Sequence, residues 1–431
     1  MVKFNEYKVI KIRVVNIQFL TYIITMKRIL LPIVIFLLGM TAYSQDMSYY
    51  TAEYTRADSS FTERLVVLEA IRDAELKGIG EFYHEALKFL LMRAPDIKTN
   101  AERNQAEKSA IILCEGIAAE KYTKAALELW QTAELFDVTG NANDGNAMRA
   151  ALVALGQTDG RAFIPHIVQR LEYFNIQEVR DAERRRRIQM GVLGCISALE
   201  SFKDIRAYRP LFFTKVGPFD AIVKETASNA LPNIVDDPSE AIIAIIQDPR
   251  NEPPVKLLVW REMDRTKMPN DSKAKIAAAS LSVGWLYQTS NKNHQTMLRE
   301  LRKSAIDLIG QIGVSEDSVY INLEKSYRNN FISNSPDFDE IIMTLNTLAA
   351  VKTDHSVNLL LKFLQEINGR RRSGPWGNTE RRIFELLTTN LGKTGSKSVE
   401  VRLLLTTISR NSSYTSQEQT MAANALKALT Q

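Results

Sequence analysis

The stretch NAMRAALVALGQTDGRAFIPHIVQRLEYF, residues 146–174, decides how the chain is to be read. Ala147, Ala151 and Leu155 recur every fourth residue, which places them on one face of a helix. Gly156 is expected to end that helix with a left-handed cap, and Thr158-Asp159-Gly160 to make the turn. Ile164, Ile167, Val168 and Leu171 then follow at helical spacing. Two amphipathic helices joined by a short turn result, and neither can hide its apolar face alone.

The same pattern recurs along the chain. Pairs four residues apart stand at Ser109/Leu113, Ala151/Leu155, Cys195/Leu199, Ala227/Leu231, Val259/Met263, Ala305/Ile309, Thr344/Leu348, Leu387/Leu391 and Ala425/Leu429. Successive second members lie 32 to 46 residues apart, with a mean near 40, which is the period of a helical repeat array. Ala305-Ile309-Gly310 leads into Val319, Leu323 and Tyr327, and Leu387-Leu391-Gly392 into Val401, Leu404, Leu405 and Ile408. Asp237-Pro238-Ser239-Glu240, Ser335-Pro336 and Ser416 with Gln419 read as helix starts. Long Gly-rich or alternating strand-like runs are absent. The expected fold is all-α, an α-α superhelix of about 9–10 stacked helix pairs over residues 61–431.

At Ala151-Leu152-Val153-Ala154-Leu155-Gly156 followed by Ile164-Pro165, and at Val223-Lys224-Glu225-Thr226-Ala227 through Leu231, the chain resembles the HEAT-repeat family. The resemblance covers about residues 100–431, with a divergent unit at 61–95. It implies antiparallel helix pairs of about 40 residues stacked into a right-handed superhelix, and it is nearly silent on activity. The 32-residue steps and the Val259 and Leu387 slots depart from the pattern.

The formal net charge of +5 comes from the N-terminus. Residues 1–44 carry six basic side chains and one acidic one, leaving 49 basic and 49 acidic groups in the remaining residues. A neutral body lacks the basic footprint that nucleic-acid binding needs, so no nucleic-acid partner is expected. Met26-Lys27-Arg28, the apolar run Ile29–Met40 and Thr41-Ala42-Tyr43-Ser44 form the n-region, h-region and cleavage site of a signal peptide, cut before Gln45. The run falls short of the about 20 residues of a membrane span, an uncleaved anchor being the alternative. A start at Met26 accounts for residues 1–25, whereas a start at Met1 would leave Val14–Met40 as a longer, interrupted anchor. Residues 45–60 read as a spacer. An exported, periplasmic or envelope-associated protein is expected.

Chemistry-bearing motifs are sparse. Cys114 and Cys195 fall next to and in repeat slots, as small core residues do. His84, His166, His294 and His355 are scattered with no zinc spacing, and only His84-Glu85 offers a His-Glu pair, so no metal or other cofactor is expected. No phosphate loop, nucleophile elbow or Ser/His/Asp set appears. Arg184-Arg185-Arg186-Arg187 reads as a helical, solvated run, partly neutralised by Asp181 and Glu183.

The repeat does not explain the stretch 369–382. Arg370, Arg371 and Arg372 lead into Trp376, and Arg381 and Arg382 follow, within what reads as a basic, glycine-containing loop over Asn368–Asn378. Arginine beside tryptophan is a composition enriched at binding hot spots, and an acidic segment or anionic headgroup fits it best. The expected function is a non-enzymatic adaptor or scaffold that binds protein partners, with peripheral contact to the membrane or envelope. A HEAT-like lyase-type enzyme acting on a protein or small ligand is the alternative.

Overall fold

A computed structural model describes residues 47–140, 144–314, 316–332, 337–371 and 376–430. The leader with its extension and cleavage site, Ser335-Pro336 and Arg372 lie outside the described residues. Among the described residues there are twenty α-helices and no strand, packed against their neighbours in chain order as an α-solenoid.

The helices fall into two units, residues 1–167 with 177–202 and residues 168–176 with 203–431. The first holds α1 (47–55), α2 (Phe61–Asp73), α3 (Gly80–Met92), α4 (Asn100–Ala119), α5 (Ala126–Leu135), α6 (Asn146–Gln157) and, beyond α7 (Ile164–Asn175), α8 (Ala182–Phe202). The second holds α9 (Tyr208–Val216), α10 (Ala221–Ile234), α11 (Ser239–Gln247), α12 (Pro253–Glu262), α13 (Asn270–Leu286) and α14 (Lys292–Ile312). It continues with α15 (Ser318–Ile332), α16 (Phe338–Val351), α17 (Asp354–Arg371), α18 (Asn378–Lys393), α19 (Val399–Arg410) and α20 (Ser416–Ala428).

Within each unit, even-numbered helices pack on one another. In the first unit α4 packs between α2 and α6, and α6 between α4 and α8. In the second, α14 packs on α12 and α16, and α18 lies between α16 and α20. Odd-numbered helices such as α3, α5, α13, α15 and α19 lie against the even helix that follows each of them. The nine spaced pairs fall one to each even helix from α4 to α20, or on the residue just after its end, and all eighteen side chains are buried. Each fully buried leucine or isoleucine stabilises the stack by roughly 1.5–3 kcal/mol, so this seam is its main cohesive element.

Gly156, Gly310 and Gly392 do not cap their helices; they lie inside α6, α14 and α18. A Cβ on Gly156 would stand 2.9 Å from the Ala198 Cα of α8, and one on Gly392 2.9 Å from the Ala425 Cα of α20. At Gly310 it would meet Thr347 Oγ1 of α16 at 2.9 Å. At Gly156 and Gly392 the missing Cβ lets the next even-numbered helix approach to backbone contact, which is why glycine follows the second slot residue.

The left-handed turn falls later and on other residue types. Glu75, Lys121, Asp159 and Lys203 follow α2, α4, α6 and α8 at φ 49–61°, and Lys352 caps α16 at φ 57°. Glycine takes this role only after α14 and α18, at Gly313 and Gly395. At a non-glycine residue the conformation costs about 1–2 kcal/mol.

Other boundaries shift for identifiable reasons. Part of the expected spacer forms α1, where Tyr54 is fully buried and its carbonyl accepts from Arg64 Nε at 3.1 Å. Thr415, not Ser416, caps α20, in a capping box with Glu418. α16 is capped by Asp337, whose side chain accepts from the Glu340 N–H at 3.1 Å. At 237–240 the helix begins at Ser239, with Asp237 accepting both its N–H at 3.0 Å and the Ser272 hydroxyl at 2.5 Å. Buried Lys256 donates to the carbonyls of Ile246 and Asp248, at 2.5 and 2.7 Å, closing the end of α11. Cys114 and Cys195 are both buried in the core, as their slots require.

One ionic contact is built into the seam. Arg302 of α14 makes a two-pronged bond to the fully buried Glu340 of α16, at 2.8 and 2.9 Å. Its third nitrogen, Nη1, donates to the Gly284 carbonyl at 3.0 Å, and its guanidinium lies 3.9 Å from the Trp285 ring centroid. Trp285 in turn donates to Ser326 at 2.8 Å. Gly284 makes room for the arginine, since a Cβ there would fall 2.4 Å from Arg302 Cγ.

Urea unfolding followed by helical circular dichroism checks three expectations. Gly156→Val costs about 1–3 kcal/mol through overpacking, whereas Lys203→Gly stabilises by about 1 kcal/mol. Arg302→Met alone strands Glu340 and costs about 3–5 kcal/mol, and adding Glu340→Leu restores much of the loss.

Candidate functional site

The described residues of the basic stretch 369–382 are mostly helical. α17 continues through Asn368, Gly369 and Arg370 to Arg371, and α18 resumes at Asn378. Ile367 is buried late in α17 and holds that last turn on the core.

Arg371 is a structural tie. It donates to Glu418 at 2.7 Å and to the Ser413 carbonyl, and its guanidinium lies 4.6 Å from the Trp376 ring and 4.4 Å from the Tyr414 ring. Glu418 is the same carboxylate that closes the α20 capping box, accepting the Thr415 N–H at 2.8 Å. A side chain at the end of α17 thereby fixes the start of α20. Trp376 is 8% exposed, with Nε1 donating to the Ile367 carbonyl at 3.1 Å. Its ring packs on Phe384 at 4.8 Å and Tyr414 at 6.1 Å. The expected hot-spot tryptophan is therefore a core residue, and its arginine neighbour is half-buried against it.

The other arginines diverge. Arg370 is exposed along its length but lays its guanidinium 4.1 Å from the Phe331 ring, and Arg382 approaches Phe338 at 5.6 Å. Arg381 is exposed and lines a cleft of about 660 Å³ bounded by the end of α17, α19 and the turn before α20. Gln365, Asn368, Thr407 and Asn411 share that lining. The Asn368 Oδ1 is buried without a hydrogen-bond partner. The structure thus brings Arg371, Trp376 and Arg381 to one cleft and leaves Arg370 and Arg382 outside its lining. The amides went unnoticed in the sequence because they come from two helices about 40 residues apart, one repeat period.

The tetra-arginine run also resolves differently. α8 starts only at Ala182, so Glu178 and Asp181 precede it; Asp181 accepts the Arg184 N–H at 2.6 Å. Arg185 donates to the Val179 carbonyl at 2.9 and 3.2 Å instead of to a carboxylate. Among the histidines, His84 Nε2 lies 3.1 Å from Glu128 Oε2 in the core, and His355 stacks on Tyr320 at 4.2 Å. His166 packs against Trp130 at 5.5 Å. Among the described residues no group of three His, Cys, Asp or Glu side chains is placed to hold a metal ion. None of the described helices is long and apolar enough to cross a membrane.

No family model, curated protein or solved structure matches the chain.

Trp376→Ala is expected to cost about 3–5 kcal/mol and to release α20, read as faster proteolysis after residue 410. Arg381→Ala should leave stability within about 0.5 kcal/mol of the parent. Equal losses for both would contradict this division between a core residue and a cleft residue.

Proposed function

We propose that the chain is an exported scaffold of HEAT type, working in the bacterial periplasm or envelope, whose C-terminal cleft holds an extended acidic segment of a partner protein. The observation that carries this reading is the lining of the 660 Å³ cleft: exposed Arg381 beside Gln365, Thr407 and Asn411, with the unpartnered Asn368 Oδ1. Side-chain amides and hydroxyls supply the donors and acceptors that an extended backbone needs, and an arginine adds preference for a carboxylate. Arg371 and Trp376 contribute by holding the walls, since their own polar groups are already engaged. The repeat array supports a scaffold, because such folds keep their function in variable surface residues. The charge-neutral body argues for a protein partner over nucleic acid, and the leader at 26–44 supports export.

Fluorescence anisotropy with extended acidic, neutral and basic peptides tests the cleft. Acidic peptides should bind at least about tenfold tighter than the others, and Arg381→Glu should remove that preference while Arg184→Glu does not. Equal binding of all three, or equal effects of the two substitutions, would count against the reading. Anionic vesicles included as competitors separate a headgroup site from a peptide site. Cell fractionation addresses export: a periplasmic protein beginning at Gln45 is expected, and a cytoplasmic one retaining Met1 would refute it.

A further inference from the structure

A second cleft, of about 680 Å³, lies in the first unit. Its walls are α4 and the first turns of α8, and its floor is the start of α6. Glu107 and Lys108 face it from α4, Asp144 and Asn146 from the floor, and Arg186 and Arg187 from α8. Glu107 is 5% exposed, and its Oε1 has no hydrogen-bond partner. An unmet acceptor this deep costs about 1–3 kcal/mol, so it calls for a donor from outside the chain.

Glu107 faces Asp144, and the two carboxyls ionise differently. Burial, then the bond to Asp144 and its charge, pushes Glu107 up to about 8 against the pull of the backbone N–H groups of Asp144 and Ala147. Burial opposes ionisation of Asp144 too, but the Glu107 bond, Asn146 and the Arg186 charge outweigh it and hold Asp144 below the usual carboxylate range. Asn146 gives Asp144 two bonds, at 2.8 Å from its N–H and 2.6 Å from its amide. Near neutral pH the pair therefore holds one proton and one negative charge.

The opposite requirement comes from the basic groups. Lys108 of α4 and Arg186 of α8 outnumber Glu183 there and call for an anion. A ligand with a single charge satisfies half of the lining. We propose that this cleft binds a small zwitterion, a free amino acid or a short peptide, with its ammonium on Glu107 and Asp144 and its carboxylate on Arg186 and Lys108. The volume lies within the about 300–1,000 Å³ usual for small-molecule sites. In this reading the carboxyl pair acts as a binding device. An arriving ammonium takes the place of the shared proton: the Glu107 O–H bond breaks, the proton passes to solvent, and the carboxylate accepts N–H bonds. Binding near pH 7 therefore releases up to one proton. The charged groups facing Glu107 in this event are Asp144, Lys108, Glu183, Arg186 and Arg187.

Isothermal titration calorimetry on the full chain tests this with the free L-amino acids, glycylglycine and triglycine, against methylammonium and acetate as single-charge controls. Each is run at pH 7 in two buffers of different ionisation enthalpy. At least one zwitterion should bind about tenfold or more tighter than either control, with proton release. The rank of amino acids against peptides distinguishes the two sources. Glu107→Gln should abolish proton release and weaken binding at least about tenfold, and Arg186→Met should erase the advantage over methylammonium.

Loss of fold is separable from loss of binding. The Glu107 pKa is about 8 in the folded chain against an ordinary 4.5, so the unfolded chain gives up this proton first and stability falls as pH rises between those values. Glu107→Gln removes that fall, and its urea midpoint at pH 8 should equal or exceed the parent's. Zwitterions that bind no better than the controls, that release no proton, or that bind Glu107→Gln as tightly, would each overturn the proposal.

Discussion

Within each unit the even-numbered helices α2 to α8 and α12 to α20 bury apolar faces that are satisfied by the helix two positions along the chain. That one-period contact is the constraint on which the rest depends. It places a small residue at most first slots, Val259 and Leu387 excepted, and a large one at the second, because facing helices must both interdigitate and come close. Where the approach reaches backbone contact, as between Gly156 and Ala198, even a methyl group is excluded. The clefts arise from the same geometry. Each is walled by helices of neighbouring repeats, so its side chains are drawn from positions far apart in sequence.

The seam was legible in the sequence because burial leaves a periodic trace. Leu113, Leu155, Leu199 and their successors are all in the core, as their spacing requires. The helix ends were less legible. Gly156 looks like a cap because glycine after a leucine slot usually is one, but here its missing Cβ serves packing. The chain turns at Asp159, inside the expected Thr158-Asp159-Gly160 turn, but Lys121 and Lys203, which carry no such signal, fill the equivalent place. A left-handed lysine is set by tertiary context, which local propensity cannot anticipate.

The functional surface divides along similar lines. Composition singled out Arg371 and Trp376, and they do come together, but as a clamp between α17 and α20 whose polar atoms are engaged. Arginine and tryptophan make an interface and a buried cation–π stack from the same ingredients, so composition cannot tell the two apart. The carboxyl pair Glu107 and Asp144 escaped notice for the opposite reason. Each is an ordinary acid in its own helix context, and only the stacking of α4 on α6 brings them face to face.

The bond between Arg302 and Glu340 gives the second unit an unusual response to heating. Charged groups lose hydration free energy as temperature rises, so the penalty for burying this pair shrinks while the apolar seam gains little. The joint between α14 and α16 should therefore strengthen relative to its neighbours in warm conditions and slacken relative to them in the cold. Buried and doubly bonded, it is also sheltered from dissolved ions, unlike the exposed pair of Arg261 and Glu300. A solenoid held mostly by oil-like contacts thus carries one fastening with a different thermal signature, which biases where its stack first comes apart.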